Sequence, residues 1–247
     1  MRARAALALA AAAALPAALS ACGSSPAPTP DFPRNADGFP LPARPVASIV
    51  SDRWSTEADR DRAGEAPSVM NKAGVKRGMT VADIGAGEGY YTIRLAARVG
   101  SKGRVLAEDI VPAVTEHLAE RVAREQLDNV SVRLGDPANP KLPVNSFDRV
   151  MMVHMYHEIK QPYEFLWNLR PSLTRTGRVV VVDANRPTDR HGTPPAVLRC
   201  EFEAVGYKRV MQTPMPAAGG YLAMFEAVGP RPTPHSIHPC DAAGRRL

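Results

Sequence analysis

The sequence predicts an α/β fold: a doubly wound, mostly parallel seven-stranded sheet with an antiparallel C-terminal hairpin. Three observations carry this. Seven short runs rich in apolar and β-branched residues lie between positions 80 and 228, each of strand length. Helix-type stretches alternate with them, which implies crossover units and helices on both faces of a parallel sheet. The last two runs are joined by the loop around "PMPAAGG" with no helix between them, so they pair as a hairpin at one edge.

Each element has its own signal. Residues 65–74, "EAPSVMNKAG", suit a short helix stopped by Gly74. Residues 80–84 are an apolar run ending in glycines and read as a buried strand. Residues 89–99 place Ile93, Leu95 and Ala96 at helical spacing, and "GSKG" ends them. A strand at 104–108 precedes a helix at 112–126 that begins on Pro112, where a missing N–H costs nothing. Residues 129–134 alternate as a strand and 148–153 form a continuous apolar one. A helix over 162–173 collects Phe165, Leu166, Leu169 and Leu173 on one face. Residues 177–183, "GRVVVVD", are β-branched and unbroken. A helix at 195–205 and the strands "GYKRVMQT" and "GYLAMFEAV" complete the domain.

The chain has 247 residues, 45% hydrophobic and 23% charged, within the range of folded domains. Its net charge of +6 raises the question of a nucleic-acid partner. Between residues 47 and 228, however, 24 Lys and Arg face 22 Asp and Glu, and no basic stripe carries interleaved aromatics. No nucleic-acid partner is therefore expected, and no protein partner is evident. Many of the 24 prolines fall in residues 23–46 and 229–247, which have no apolar periodicity. They read as a flexible linker and an extended tail around a domain at 47–228.

Residues 1–22, "MRARAALALAAAAALPAALSAC", have two arginines, an uncharged Ala/Leu stretch and then small residues, the layout of a secretory signal. Leu19-Ser20-Ala21-Cys22 resembles the lipobox of bacterial lipoproteins, which implies lipidation of Cys22 and a membrane anchor with the Pro-rich segment as spacer. Without an Asp beside Cys22, the resemblance is to lipoproteins of the outer membrane, on its periplasmic side. The alternative is a start assigned too early and a cytoplasmic protein. Two other cysteines remain, Cys200 and Cys240. Either they pair in an oxidising compartment, or Cys200 is a buried thiol and Cys240 an idle one. No Cys-x-x-Cys and no His cluster at metal spacing occurs, so no metal site is expected.

The chemistry concentrates in "VADIGAGEGYYTIRL". Glycines between a strand and a helix let a ligand lie against the main chain at the carboxyl end of the sheet. A dinucleotide fold shows G-x-G-x-x-G, whereas this loop is D-x-G-x-G-x-G, which disfavours a dinucleotide oxidoreductase. The segment, with Asp83 at the strand end and Gly85, Ala86, Gly87 and Gly89 following, resembles motif I of class I S-adenosylmethionine-dependent methyltransferases. That resemblance extends over about residues 74–228 and implies a Rossmann-like fold with S-adenosylmethionine as cofactor. In the family an acid ends the second strand and accepts from the ribose hydroxyls; Asp109 stands there, with Glu108 one residue away as competitor. The resemblance assigns Asp136 in "RLGDPAN" to the adenine amine and Asp83 to the amine of the methionine tail. "LRPSLTRTGRVVVVD" is similar to the family's helix-to-strand passage.

The loop in "FDRVMMVHMYHEI" faces the transferred methyl in that family, so His154, Tyr156, His157 and Glu158 are the candidates for base or acceptor positioning. It lacks the Asn/Asp-Pro-Pro-Tyr/Phe segment of base-amine methyltransferases and the Pro-Cys of cytosine-carbon enzymes, which leaves a small-molecule acceptor. Tyr90 and Tyr91 line the cleft or pack under the helix. The expected function is methyl transfer to a small molecule. The alternative is a non-catalytic lipoprotein of the same fold that binds a nucleoside-like or envelope ligand, because S-adenosylmethionine is made in the cytosol and an exported protein does not ordinarily meet it.

Overall fold

The computed structural model of the protein describes residues 32–49 and 56–247. The leader, Cys22 and the first part of the Pro-rich segment lie outside them. The strands are β1 (Thr80–Ile84), β2 (Arg104–Asp109), β3 (Val130–Leu134), β4 (Phe147–Val153), β5 (Leu173–Asp183), β6 (Tyr207–Met215) and β7 (Gly220–Ala227). The helices are α1 (Glu57–Arg62), α2 (Glu65–Lys72), α3 (Tyr90–Val99), α4 (Pro112–Arg124), α5 (Pro162–Leu169) and α6 (Pro195–Ala204). All seven strands share one sheet in the order β3-β2-β1-β4-β5-β7-β6. The first five are parallel, and β7 runs antiparallel between β5 and β6.

Alternation of side chains along each strand explains why the central runs are apolar throughout. Ala82 and Ile84 of β1, Val150 and Met152 of β4, and Val179 and Val181 of β5 pack with Phe165 and Leu166 of α5 and Leu198 and Phe202 of α6. Their neighbours Val81, Met151, Val180 and Val182 face the other way, onto Val69 and Met70 of α2 and Tyr91, Leu95 and Val99 of α3. With both faces covered, charged groups sit toward the strand ends or reach out to a partner, as Arg178 does to Glu226 at 2.8 Å.

Two boundaries differ from expectation. Helix α5 stops at Leu169, a 3₁₀ turn spans Arg170–Ser172, and Leu173 already belongs to β5. Pro171 accounts for this, since it has no N–H to continue the helical ladder, while Arg170 itself keeps helical dihedrals. Helix α1 has no counterpart in the apolar pattern because none of its residues is buried. It is held by a Thr56–Asp59 capping box and by ion pairs from Glu57 to Arg94 and Arg121.

The described parts of the flanks, residues 32–46 and 229–247, make specific contacts. Residues from Phe32 to Leu247 form one unit. Arg34 donates to Gly38 O at 2.8 Å and to the carbonyls of Pro234, His235 and Ile237 at 3.2 Å, so the N-terminal flank grips the tail. Arg44 and Glu201 of α6 form a buried pair at 2.7 Å. The tail is fixed by Arg170, which donates to the carbonyls of Val228 and Gly229, and by Trp167 Nε1 donating to Pro232 O at 2.8 Å. Cys240 N donates to Tyr163 Oη at 2.7 Å, and Cys200 and Cys240 are joined as a disulfide. Proline-rich, aperiodic sequence hid this packing because its polar partners are single side chains on distant elements.

The disulfide closes a loop over a separation of 40 residues, for which chain entropy gives about 4 kcal/mol. Cys240→Ser is expected to lower unfolding free energy by about 2–4 kcal/mol in urea titration. Reductant should reproduce the loss in the wild type and leave the variant unchanged.

Candidate functional site

The glycine loop leaves β1 at Ile84 and enters α3 at Gly89. Gly85 has φ +66°, and a Cβ there would stand 3.0 Å from Met155 Cγ. Gly89 has φ +90°, and a Cβ would fall 2.4 Å from Leu118 Cδ1 of α4, so both positive φ and close packing require glycine. The loop is stitched to the end of β2: Ala86 N donates to Glu108 O at 2.9 Å, and Gly87 N donates to Asp109 Oδ2 at 3.1 Å. Val111 N donates to the other oxygen of Asp109 at 3.0 Å. The carboxylate of Asp109 therefore lies against the glycine bend.

Glu108 lies beneath the same bend, where its carboxyl meets the backbone of Gly85. It is 1% exposed, its Oε1 has no hydrogen-bond partner, and a Cβ on Gly135 would lie 1.5 Å from that atom. Burial, reinforced by neighbouring Asp109, pushes its carboxyl up to about 8. Asp83 is also buried and accepts from Thr92 Oγ1 at 2.7 Å. Burial lifts its carboxyl to about 6. Asp136 is different in kind: its side chain is 53% exposed and pairs with Lys141 Nζ at 2.8 Å, while its backbone exchanges hydrogen bonds with Asn139.

The four residues predicted after β4 do not form one cluster. His154 has φ +57°, and its N donates to Val182 O at 2.8 Å. Its ring is 31% exposed, with Nε2 3.6 Å from Glu65 Oε1. Glu65 also accepts from Arg60 at 2.6 and 2.9 Å and from Tyr91 Oη at 2.9 Å. Burial alone would raise the Glu65 carboxyl, but His154 and Arg60 together hold it down at about 2.

Tyr156, expected among the candidates for base or acceptor positioning, faces the interior. It is fully buried, and its hydroxyl donates to Glu201 Oε2 at 2.8 Å beside Arg44, so it serves the buried ion pair. The 3₁₀ turn Tyr156–Glu158 turns it inward, a geometry that sequence spacing does not reveal. His157 is 2% exposed, with Nδ1 3.1 Å from both oxygens of Asp183. Glu158 Oε1 lies 4.0 Å from His157 Nε2. Tyr90 and Tyr91 are buried under α1 and α2, donating to Asp61 and Glu65, with Arg60 and Arg94 on the ring of Tyr90.

Sequence reasoning passed over Glu65, Thr92 and Asp183. Asp183 had a signal, an acid at the end of an apolar strand much as Asp83 is; Glu65 had none, because its partners Arg60, Tyr91 and His154 come from three separate segments. Two surface depressions, of about 530 and 390 Å³, share only Glu88 with the glycine loop, so the site is defined by the strand ends.

Comparison with known proteins agrees with this fold. Residues 81–185 match the family model of a methyltransferase domain. The chain is 41% identical over 73 residues to nocamycin O-methyltransferase of Saccharothrix syringae, covering 30% of this chain and 26% of that protein. It is 31% identical over 120 residues to demethylmenaquinone methyltransferase of Staphylococcus aureus, covering 49% of each. The chain thus spans half or less of these curated relatives. Among solved structures, a SAM-dependent methyltransferase from Aquifex aeolicus is similar with a TM-score of 0.59 at 23% identity, covering 69% of this chain and 97% of that one. The [4+2]-cyclase SpnF is similar with a TM-score of 0.56 at 14% identity, covering 76% and 90%. Residues 81–185 therefore resemble a methyltransferase domain, and the chain has the Rossmann-like fold of the methyltransferases it is similar to, a class whose cofactor is S-adenosylmethionine. The residues present fit that group: a glycine bend that side chains would fill, and a carboxylate set against it.

Glu108 generates a pH prediction. Its folded-state value of about 8 exceeds the usual 4.5, so the folded state keeps a proton that the unfolded chain releases, and stability falls as pH rises from about 4.5 to 8. Glu108→Gln removes this cost. The variant should be more stable than wild type by on the order of 3 kcal/mol at pH 8, with the difference closing near pH 4.5; a pH-independent difference would contradict the assignment.

Proposed function

We propose that the protein is an S-adenosylmethionine-dependent methyltransferase acting on a small-molecule acceptor. The contact from Gly87 N to Asp109 across the tips of β1 and β2 carries this reading. The cofactor supplies a methyl group on a cationic sulfonium. In this chain Asp109 would accept from its ribose hydroxyls, and Gly85, Ala86, Gly87 and Gly89 would let it approach the main chain. Asp83 would face the amine of the methionine tail, whose charge would favour the ionised carboxylate; Asp136 would exchange Lys141 for the adenine amine. His154 is the base candidate, because it is the more exposed of the two histidines of its loop and Glu65 stands ready to stabilise its protonated ring. The relatives named for methyl transfer to nocamycin and demethylmenaquinone support a small organic acceptor.

Calorimetry with S-adenosylhomocysteine tests the site. Binding by the wild type should weaken at least about tenfold in Asp109→Ala, the loss of hydrogen bonds to a charged group. His154→Ala should leave that affinity unchanged and lower methyl transfer to a panel of phenolic and amine acceptors by about 100-fold or more. Absence of heat at millimolar ligand would refute the reading.

We also propose that residues 1–22 direct export and that Cys22 carries lipid, anchoring the domain in the cell envelope. The Cys200–Cys240 disulfide supports an oxidising compartment. Labelled palmitate should appear in the membrane-fraction protein and vanish in Cys22→Ser; an unlabelled cytosolic product would overturn the proposal.

A further inference from the structure

The 3₁₀ turn after β4 and the loop after β5 bring together three donors far apart in sequence. Ligand atoms of His157, Glu158 and His191 all lie within 4.8 Å of one another. Sequence spacing predicted no metal site because His191 arrives from a separate loop. It sits at the end of the 3₁₀ turn Thr188–Arg190 in left-handed backbone conformation, and its ring meets that of His157 edge-on, with centroids 5.4 Å apart.

We infer that His157, Glu158 and His191 form a binding site for a divalent transition-metal ion, with one coordination position left open. The support behind His157 carries the argument. Nδ1 faces both oxygens of Asp183 at 3.1 Å. Asp183 in turn accepts from Ala184 N at 2.8 Å and Thr193 Oγ1 at 2.7 Å. A carboxylate so fixed accepts the Nδ1 proton, sets the ring plane and leaves the Nε2 lone pair for an ion, the arrangement that orients metal-bound histidines. Nε2 faces Glu158 Oε1 at 4.0 Å.

Two imidazole nitrogens and one carboxylate oxygen suit zinc and its first-row neighbours better than calcium or magnesium, which prefer all-oxygen shells. Tetrahedral donors around zinc stand roughly 3.3 Å apart given metal–nitrogen distances of about 2.0–2.1 Å. The present spacing therefore requires the donors to close in by about an ångström, a movement within reach of Glu158 and the His191 loop. Glu158 and His191 already have other interaction partners, so the ion exchanges contacts. Three protein donors with a free fourth position are the pattern of sites that bind an exogenous oxygen ligand. Both loops follow parallel strands at the carboxyl edge of the sheet, as the glycine loop does. The inference does not rest on the methyl-transfer reading.

The test uses the full chain after dialysis against chelator, titrated with Co²⁺ and followed by its visible d–d absorption, with Zn²⁺ competition by calorimetry. One ion per chain is expected. His191→Ala and Glu158→Gln should each weaken Co²⁺ binding by more than the roughly 10- to 100-fold typical of removing an outer-shell partner, and Asp183→Asn by about that amount. His191→Ala changes a loop side chain, and its circular dichroism and melting temperature without metal should match wild type. His235→Ala in the tail should bind as wild type. Absence of cobalt binding at millimolar metal, or equal binding by wild type and His191→Ala, would overturn the site.

Discussion

Burial of the central strands on both faces is the constraint from which the rest of the molecule follows. β1, β4 and β5 meet helices on either side, so a charged side chain in mid-strand would have to leave water with no partner. Acids are accordingly found where strands end: Asp83 on β1, Asp109 on β2 and Asp183 on β5. Each accepts at least one hydrogen bond from the segment that follows its strand. Connection and functional group are thus specified at the same place, and loops on one edge of the sheet inherit a row of oriented carboxylates.

That constraint also decides what could be read in the sequence. Runs such as "GRVVVVD" announce two-sided burial, and the glycine spacing after β1 announces a backbone turned for a ligand, so the sheet and the Asp109 contact were legible. Helix α1 was not, because its stability resides in a capping box and ion pairs and it buries no side chain. The residues after β4 were legible as a group but not in their orientations. A left-handed bend at His154 and the 3₁₀ turn after it send His154 toward Glu65, Tyr156 toward Glu201 and His157 toward Asp183, and no periodicity distinguishes those outcomes. Pairings made over long separations, as between Arg44 and Glu201, leave no trace in local pattern.

The buried acids divide by partnership. Glu65 receives Arg60, Tyr91 and His154, and Glu201 receives Arg44 and Tyr156; such networks hold charge in a low-dielectric interior because each lone pair is met. Glu108 has no equivalent, and its protonated form is the one the fold accommodates. Unsatisfied polar groups of this kind cluster where a protein gives up stability for a site, and this one lies beside the acid that faces the glycine bend.

The position of Arg34 and Arg44 has a mechanical meaning. Both belong to the segment nearest the N-terminal side of the folded unit, and both reach across to C-terminal elements, Arg34 to tail carbonyls and Arg44 to α6. A pulling force entering through this segment is shared with the disulfide-braced tail and with α6. The same segment also touches the loops after β4 and β5, with Ala47 N donating to His157 O at 3.1 Å and Thr188 Oγ1 to Pro45 O at 2.6 Å, so traction on the leading end would reach the ligand-facing edge.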